Sequence, residues 1–590
     1  MPGPPLLATD LADLYRRIYR AQFKADVAAG NKVPFLLHLV FWGVFILPIL
    51  YLSIPHKRRP WLYHARWIVL ALCTMINAWV IRNVASSNFA FSYGTGICAA
   101  WGTVWNFTVL VWTRPQWDAR RIERYPNPRY QKLVEGSQDV DHNDATSILA
   151  SGSDGTLSNG HSNIASRKLQ NQKIANGQFV QKDVVREEQK ETRKMISYLE
   201  MNMGKSTHNS QLLSVVDFDR LNKRQPFIYK WQSFPEDAPF LKRLDWAFDI
   251  GATMRLTGWN WAIHVLPPYR PPPWFDETMT YQMPLHFLPD STRQGYTRCR
   301  TRMEFLRNRI LFGIVPCYLL VDICATIMTQ DPYFILGPND LPLSAGLGDM
   351  SPFLLSLRRT LLSFVAVIVA LRLAWDFGAV LLALLGPPVI GFRADPWHLP
   401  SMTGSFMQVL DRGLAGFWGS WWHQTFRFGF AAPTEWMIRN GYIEKGSTPA
   451  AVVGALVAFV TSGFLHAMGS YTTIPKTHWW EPPVFFFLSG VGTQLQSVLS
   501  KKFRKSIGKM PRFIRRAGNL LFTFAWLHLT CKFLLDDFGR CGIWLWEPIP
   551  FSFARWLGYG IDGASWWRWT NEDNPHWLSG RHWWDTGIGI

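Results

Sequence analysis

His466 closes an apolar run, AAVVGALVAFVTSGFL at Ala450–Leu465, that can enter a bilayer. An ionisable side chain there is costly, and it faces a protein interior or a water-filled cavity. Two readings follow: a histidine satisfied by a neighbouring helix, or a base lining a chamber. The polar cluster Trp422-His423-Gln424, followed by Arg427, favours the second. Together the two imidazoles point to a membrane chamber that does chemistry on a hydroxyl group, since a neutral imidazole suits removal of a hydroxyl proton. Ser462 and Gly463, one turn before His466, are small residues of the kind that let membrane helices approach closely. A serine nucleophile at Ser462 is the weaker alternative.

These side chains need a scaffold. Eight apolar runs reach spanning length, at about 33–54, 63–81, 93–113, 310–328, 361–385, 448–468, 482–499 and 517–535. A ninth, near 543–560, is interrupted by Glu547 and two prolines. The expected fold is all-α, a polytopic integral membrane protein with about eight or nine transmembrane helices. Basic residues collect where runs end: His56 to Arg59, Arg114 to Arg124, Arg298 to Arg309, and KKFRKSIGKMPRFIRR from Lys501. By the positive-inside rule these loops are cytoplasmic. The 329–350 loop, with Asp331, Asp340 and Asp349 and no Lys or Arg, falls on the luminal side. Arg358 and Arg359, just beyond it, run against that pattern.

Six segments result: an N-terminal amphipathic segment (1–32), the first three spans (33–113), a cytoplasmic loop (114–224), a membrane-surface segment (225–309), a core (310–560) and a Trp-rich tail (561–590). The loop is rich in Ser, Asn, Gln and Gly at 135–185 and is expected to be disordered. The 386–447 stretch is too polar for a span and too aromatic for a free loop. It reads as short helices at, or dipping into, the cytoplasmic leaflet, where irregular backbone must be surrounded by protein or a cavity. Arg372 and Asp376, at i and i+4, are expected to pair within the membrane. The tryptophans after Cys541 read as an interfacial belt.

Composition excludes several classes. Aromatic residues make up 15% and charged residues only 17%, against about 25% charged in average proteins. The net charge of +19 sits at the ends of apolar runs, and no nucleic-acid motif accompanies it. The seven cysteines form no C-x-x-C pair, so neither a disulfide framework nor a zinc site is expected. No two histidines fall within five residues of each other, which argues against di-iron histidine boxes. The H-x-x-x-D spacing of His286 and Asp290 is a weak signal. The first apolar run, near Val33, is long enough to act as an uncleaved anchor.

Three ordered blocks then resemble a known family. RLTGWNW at Arg255–Trp261 is similar to the R-G-x-G-W-N-W stretch of wax synthase-like proteins. DPWHLPSMTGS, followed by FWGSWWHQTFR at Phe417–Arg427, resembles their W-P-x-x-F-G … F-W-x-R-x-W-H-Q-x-x-R block. TSGFLH at Thr461–His466 resembles their T-S-G-x-x-H. The family is the wax synthase-like branch of the membrane-bound O-acyltransferases, which includes fungal acetyltransferases of secondary metabolism. The chain departs from it at Leu256, where Gly is usual, at Ser420-Trp421, where Arg-Arg is frequent, and at Ala467, where Glu is frequent.

The resemblance implies a multi-pass O-acyltransferase of the endoplasmic reticulum. Its expected co-substrate is acyl-CoA, acetyl-CoA foremost, and its acceptor a hydroxyl on a lipophilic molecule such as a terpenoid, delivered from the lipid bilayer. It implies His466 as base and His423 as the second catalytic position, placing the thioester or donating to its carbonyl. Trp422, Gln424, Arg427 and Ser462 are the implied substrate-binding residues, with no bound cofactor and no metal. Arg427, Arg439 and Lys445 either attract the phosphates of coenzyme A or simply set topology. Two other functions stay open: a long-chain acyl-CoA:fatty alcohol wax synthase, and a non-enzymatic transporter or lipid-binding protein. The lack of an inverted repeat counts against a transporter. One tension remains. The linear topology puts His466 near the lumen and His423 near the cytosol, so they meet only if 417–430 enters the membrane or the helix is displaced.

Overall fold

The computed structural model describes residues 8–127, 131, 227–267, 289–344, 346–475 and 477–590. The 135–185 tract and His286 lie outside the described residues. The chain forms two compact units, one of Met1–Arg121, Gln232–Tyr269 and Leu288–Ile590, the other of Ile122–Trp231 and Arg270–Phe287. In the second, the described residues are largely two strand segments, 122–126 and 227–231, which pair.

The first unit is helical. The amphipathic α1 (Ala8–Ala28) is followed by α2 (Leu37–Leu52), α3 (Arg66–Asn83), α4 (Phe89–Phe107) and α5 (Phe240–Ala252). Then come α6 (Arg302–Met328), α7 (Pro352–Leu385), α8 (Arg427–Arg439), α9 (Thr448–Tyr471), α10 (Glu481–Lys502), α11 (Arg512–Thr530) and α12 (Lys532–Arg540). Every one of the eight expected runs contains a helix. Among the described residues, however, only four helices are long and apolar enough to cross a membrane: α3 with the turn before it from Pro60, α6, α7 and α9. A fifth is added if α11 and α12, bent by 45°, form one span. The expected count of eight or nine is therefore not reached on this measure. α2 is short and contains a π-helical turn at Trp42–Ile46, α4 is rich in small and polar residues, and α10 carries Glu481, Lys501 and Lys502 at its ends. The ninth run is not a helix. It forms single turns at Ile543–Leu545 and Phe553–Trp556, on either side of a buried Glu547.

Buried ion pairs fix the helices. Asp376 of α7 accepts from Arg309 at 2.7 Å and from Arg372 at 3.5 Å, so the expected i,i+4 pair is the weaker half of a triad. Arg358 and Arg359, which run against the charge pattern, converge on the buried Asp331 at 3.6 and 2.7 Å. They are partners of a luminal-loop carboxylate by the expected topology and do not mark a side themselves.

Candidate active site

α9 begins where the Ser447 hydroxyl accepts from the Ala450 amide, with a proline in the first turn. α4 begins where the Asn88 carboxamide accepts from the amides of Ala90 and Phe91. Glycines then bring the two helices together. A Cβ at Gly96 would lie 2.0 Å from the Met468 carbonyl oxygen, and one at Gly469 would lie 2.7 Å from the Tyr93 ring. The close approach puts the Tyr93 hydroxyl 3.1 Å from His466 Nδ1 and 3.3 Å from the His466 carbonyl oxygen. Gly463 packs against Pro483 of α10 in the same way, at 2.9 Å. This lets Phe486 stack on the His466 ring at 4.7 Å and 23°.

His423 stands on the loop between Phe417 and Phe426. Its first half is a π-helical turn, Phe417–Trp421, closed by the Trp422 amide donating to the Phe417 carbonyl at 2.8 Å. Gln424, buried, staples this turn: its amide donates to the carbonyls of Trp418 and Trp422 at 2.8 and 2.7 Å. Its carbonyl accepts from Arg427 at 2.6 Å. Arg427 also donates to the Gly419 carbonyl at 2.7 Å and to His264 Nε2 at 3.2 Å. Burial, and then the Arg427 charge, lower the His264 pKa, consistent with a neutral ring accepting that bond. Gln424 and Arg427 are thus engaged in holding the loop. Further upstream, Gly413 at φ +60° presses on Gln496 of α10, whose side chain accepts from the Leu414 amide at 2.8 Å.

The loop is sunk among aromatic side chains. Trp418 meets Phe459, Phe485 and Phe486 at 5.8, 6.1 and 6.0 Å, and Trp422 lies 5.0 Å from the His423 ring. A chain of rings, Trp422, Trp418 and Phe486, therefore connects His423 to His466. His423 Nδ1 is buried and has no hydrogen-bond partner among the described residues. Ser462 sits half-buried one turn before His466 and makes no side-chain hydrogen bond to a described residue.

The RLTGWNW block has a supporting place. Arg255 donates to the carbonyls of Ser401 and Pro400 at 2.8 and 3.1 Å and lies over Trp375. Asn260 ties the block to the Arg120 amide and the Asp118 carbonyl, each at 2.9 Å. Leu256 holds φ +52°, the left-handed region that favours glycine, while its side chain is fully buried. This is the position where the resemblance leads one to expect Gly.

Tyr93 escaped the sequence reading. No motif marks it, and it lies more than 300 residues from its partner. The available signal was the four-residue spacing of Ser92, Gly96 and Ala100, small residues on one buried face of the helix.

Residues 399–488, which contain both imidazoles, match the family described as "Membrane bound O-acyl transferase family". The match takes in most of the second sequence block and all of the third, and bears out the resemblance carried there. The chain is similar to Acetyltransferase ple2 of Rhodocybe pseudopiperita, 24% identical over 309 residues, or 51% of this chain and 68% of that protein. It is also similar to Acetyltransferase eriL of Hericium erinaceus, 26% identical over 177 residues, or 29% and 43% of the two. No solved structure matches the chain.

Proposed function

We propose that this protein transfers an acetyl group from acetyl-CoA to a hydroxyl of a lipophilic acceptor, of the terpenoid kind, in the endoplasmic reticulum membrane. The observation that carries the reading is the Tyr93–His466 pair. If the single Tyr93 proton goes to the His466 carbonyl, Nδ1–H can donate to the phenolic oxygen, and two hydrogen bonds form where the opposite assignment gives one. Nε2 then bears the free lone pair of a base. For His423 the preference runs the other way. An unpaired buried N–H is rarer than an unpaired acceptor, so the proton belongs on Nε2 and that nitrogen donates.

One acceptor and one donor suit alcohol acylation. The acceptor O–H gives its proton to His466 Nε2 while its oxygen attacks the thioester carbonyl carbon. The oxyanion that develops is met by His423 Nε2–H. Collapse breaks the C–S bond, and His466 returns the proton to the departing thiolate, leaving an ester and free coenzyme A. Trp418, Trp422 and Phe486 exclude water, which favours transfer over hydrolysis. Gln424 and Arg427 act as positioning residues for His423, and Ser462 lines the approach to His466. The names of the two relatives support acetyl as the group moved. Metabolite profiling of a deletion strain tests the reading. A lipophilic alcohol should accumulate and its acetyl ester vanish, and wild type, not His466→Ala, should restore the ester. An unchanged profile, or restoration by His466→Ala, would overturn it.

A further inference from the structure

Away from both imidazoles, α1 and the C-terminal tail line a small, partly open cavity of about 20 Å³, with Arg16, Arg555, Arg568, Asp13 and Thr329 among its walls. All three guanidiniums turn to one carboxylate, the buried Glu547. Arg555 grips it at 2.7 and 3.1 Å, Arg568 donates at 3.0 Å, and Arg16 lies 3.6 Å away. The other acid is Asp13, largely exposed, 2.6 Å from Arg16. Three cations thus face two carboxylates, and one positive charge is left uncompensated in a partly dry recess. Arg16 feels this: burial and the charge of Arg568 hold its guanidinium below its ordinary range. Arg16 spends one N–H on Asp13 and one on the Leu545 carbonyl, and Arg568 gives one to Ser565. Further N–H groups on all three arginines remain to be used. The tail segment that lines the cavity is flanked by exposed Trp556, Tyr559, Trp566 and Trp567. Such side chains settle at the headgroup level of a bilayer.

We propose that this cavity binds the monoanionic phosphodiester of a phospholipid headgroup. A phosphodiester carries one negative charge, matching the one left over, and its oxygens suit guanidinium donors. The flanking aromatic side chains would hold the cavity at the depth where that group lies. Bound there, the phosphate joins α1 to the tail through Arg16 and Arg568. A soluble phosphate shares the chemistry, so the test separates the two sources.

The full chain, purified in neutral detergent, is unfolded thermally while dihexanoyl-phosphatidylglycerol, inorganic phosphate or phosphate-free dihexanoylglycerol is titrated in. The expected result is a saturable rise of the midpoint with phosphatidylglycerol. A comparable rise with inorganic phosphate would support the anion site but name the soluble ion as ligand. Arg16→Gln, which removes the surplus charge, should weaken the response at least tenfold, while Arg16→Lys keeps it. The same measurement in the Arg16→Gln and Arg16→Lys proteins without additive checks that both fold. No response to either phosphate, an equal response to dihexanoylglycerol, or an undiminished response in a folded Arg16→Gln protein would overturn the proposal.

Discussion

The Tyr93 hydroxyl of α4 lies 3.1 Å from His466 Nδ1 and 3.3 Å from the carbonyl oxygen of the same residue on α9. One phenol therefore reads both the ring and the backbone of a histidine far away in sequence, and it can fix which ring nitrogen carries the proton. Tyr93→Phe keeps the ring, including its edge contact with Phe538 at 5.5 Å, and removes only the oxygen. A net hydrogen bond is worth about 1 kcal/mol. The variant should therefore lose roughly fivefold in kcat with the KM for acyl-CoA unchanged. Steady-state kinetics in microsomes check this; a change confined to KM would count against the tautomer argument. Gly469→Ala, whose new methyl would meet the Tyr93 ring, should lower kcat in the same sense.

Gln424 tests the loop. Its side chain makes three hydrogen bonds inside a buried turn. Gln424→Leu leaves two carbonyls and one guanidinium N–H without that partner, at about 1–3 kcal/mol for each group that stays dry. Thermal unfolding in detergent should show a lower midpoint, and activity should fall further than stability because His423 loses its support. Full activity in the variant would mean that the turn does not position His423.

Leu256 tests backbone strain. Its φ of +52° is the one left-handed value outside glycine among the described residues. Removing the buried side chain costs about 2–5 kcal/mol in either Leu256→Ala or Leu256→Gly. Glycine then recovers about 1 kcal/mol of backbone strain that alanine retains. Both variants should be less stable than wild type, with Leu256→Gly the more stable of the two, the reverse of their usual order. Denaturation midpoints measured side by side decide it.

Glu547 tests the tail. Burial alone would push its carboxyl up, but the charges of Arg568, Arg555 and Arg16 outweigh this and hold it below the ordinary carboxylate range. A carboxyl that titrates lower in the folded chain adds stability that is complete above the unfolded glutamate value, about pH 4.3. That stability is lost as the pH falls through the lower folded value. The melting midpoint should show no loss from this group between pH 7 and pH 5 and then fall with acid. Glu547→Gln should cost about 3–5 kcal/mol at neutral pH and flatten the acid limb; an acid limb unchanged in the variant would remove Glu547 from the account.

Much of the scaffold was legible. Apolar run length located a helix for each of the eight expected spans, because burying backbone in lipid forces its hydrogen bonds to be made within the helix. Run length could not say which helices stay short or polar. The π-helical turn in α2 depends on what packs against it, which a local window does not contain, whereas the small and polar residues of α4 are visible in the sequence. His466 stands out in the sequence as an ionisable group at the end of an apolar run, and His423 as part of the Trp422-His423-Gln424 cluster. Their supports do not: the roles of Tyr93, Phe486 and Gln496 arise from contacts between distant segments. For Gln424 and Arg427 the resemblance implies substrate binding, and the fold adds the contacts by which each also holds the 417–427 loop. Trp418 of the 417–426 loop packs on Phe459, Phe485 and Phe486 of α9 and α10, a contact between segments that a linear topology does not contain.

The central claim is that His466 takes the proton of the acceptor alcohol while His423 assists. It is tested most directly by measuring transfer of labelled acetyl from acetyl-CoA to the accumulated alcohol in microsomes carrying wild type, His466→Ala or His423→Ala at equal protein level. The account predicts no ester above background for His466→Ala and a reduction of about 100-fold or more for His423→Ala, the loss seen when an oxyanion donor is removed. Ester formation by His466→Ala at a rate near wild type would contradict it.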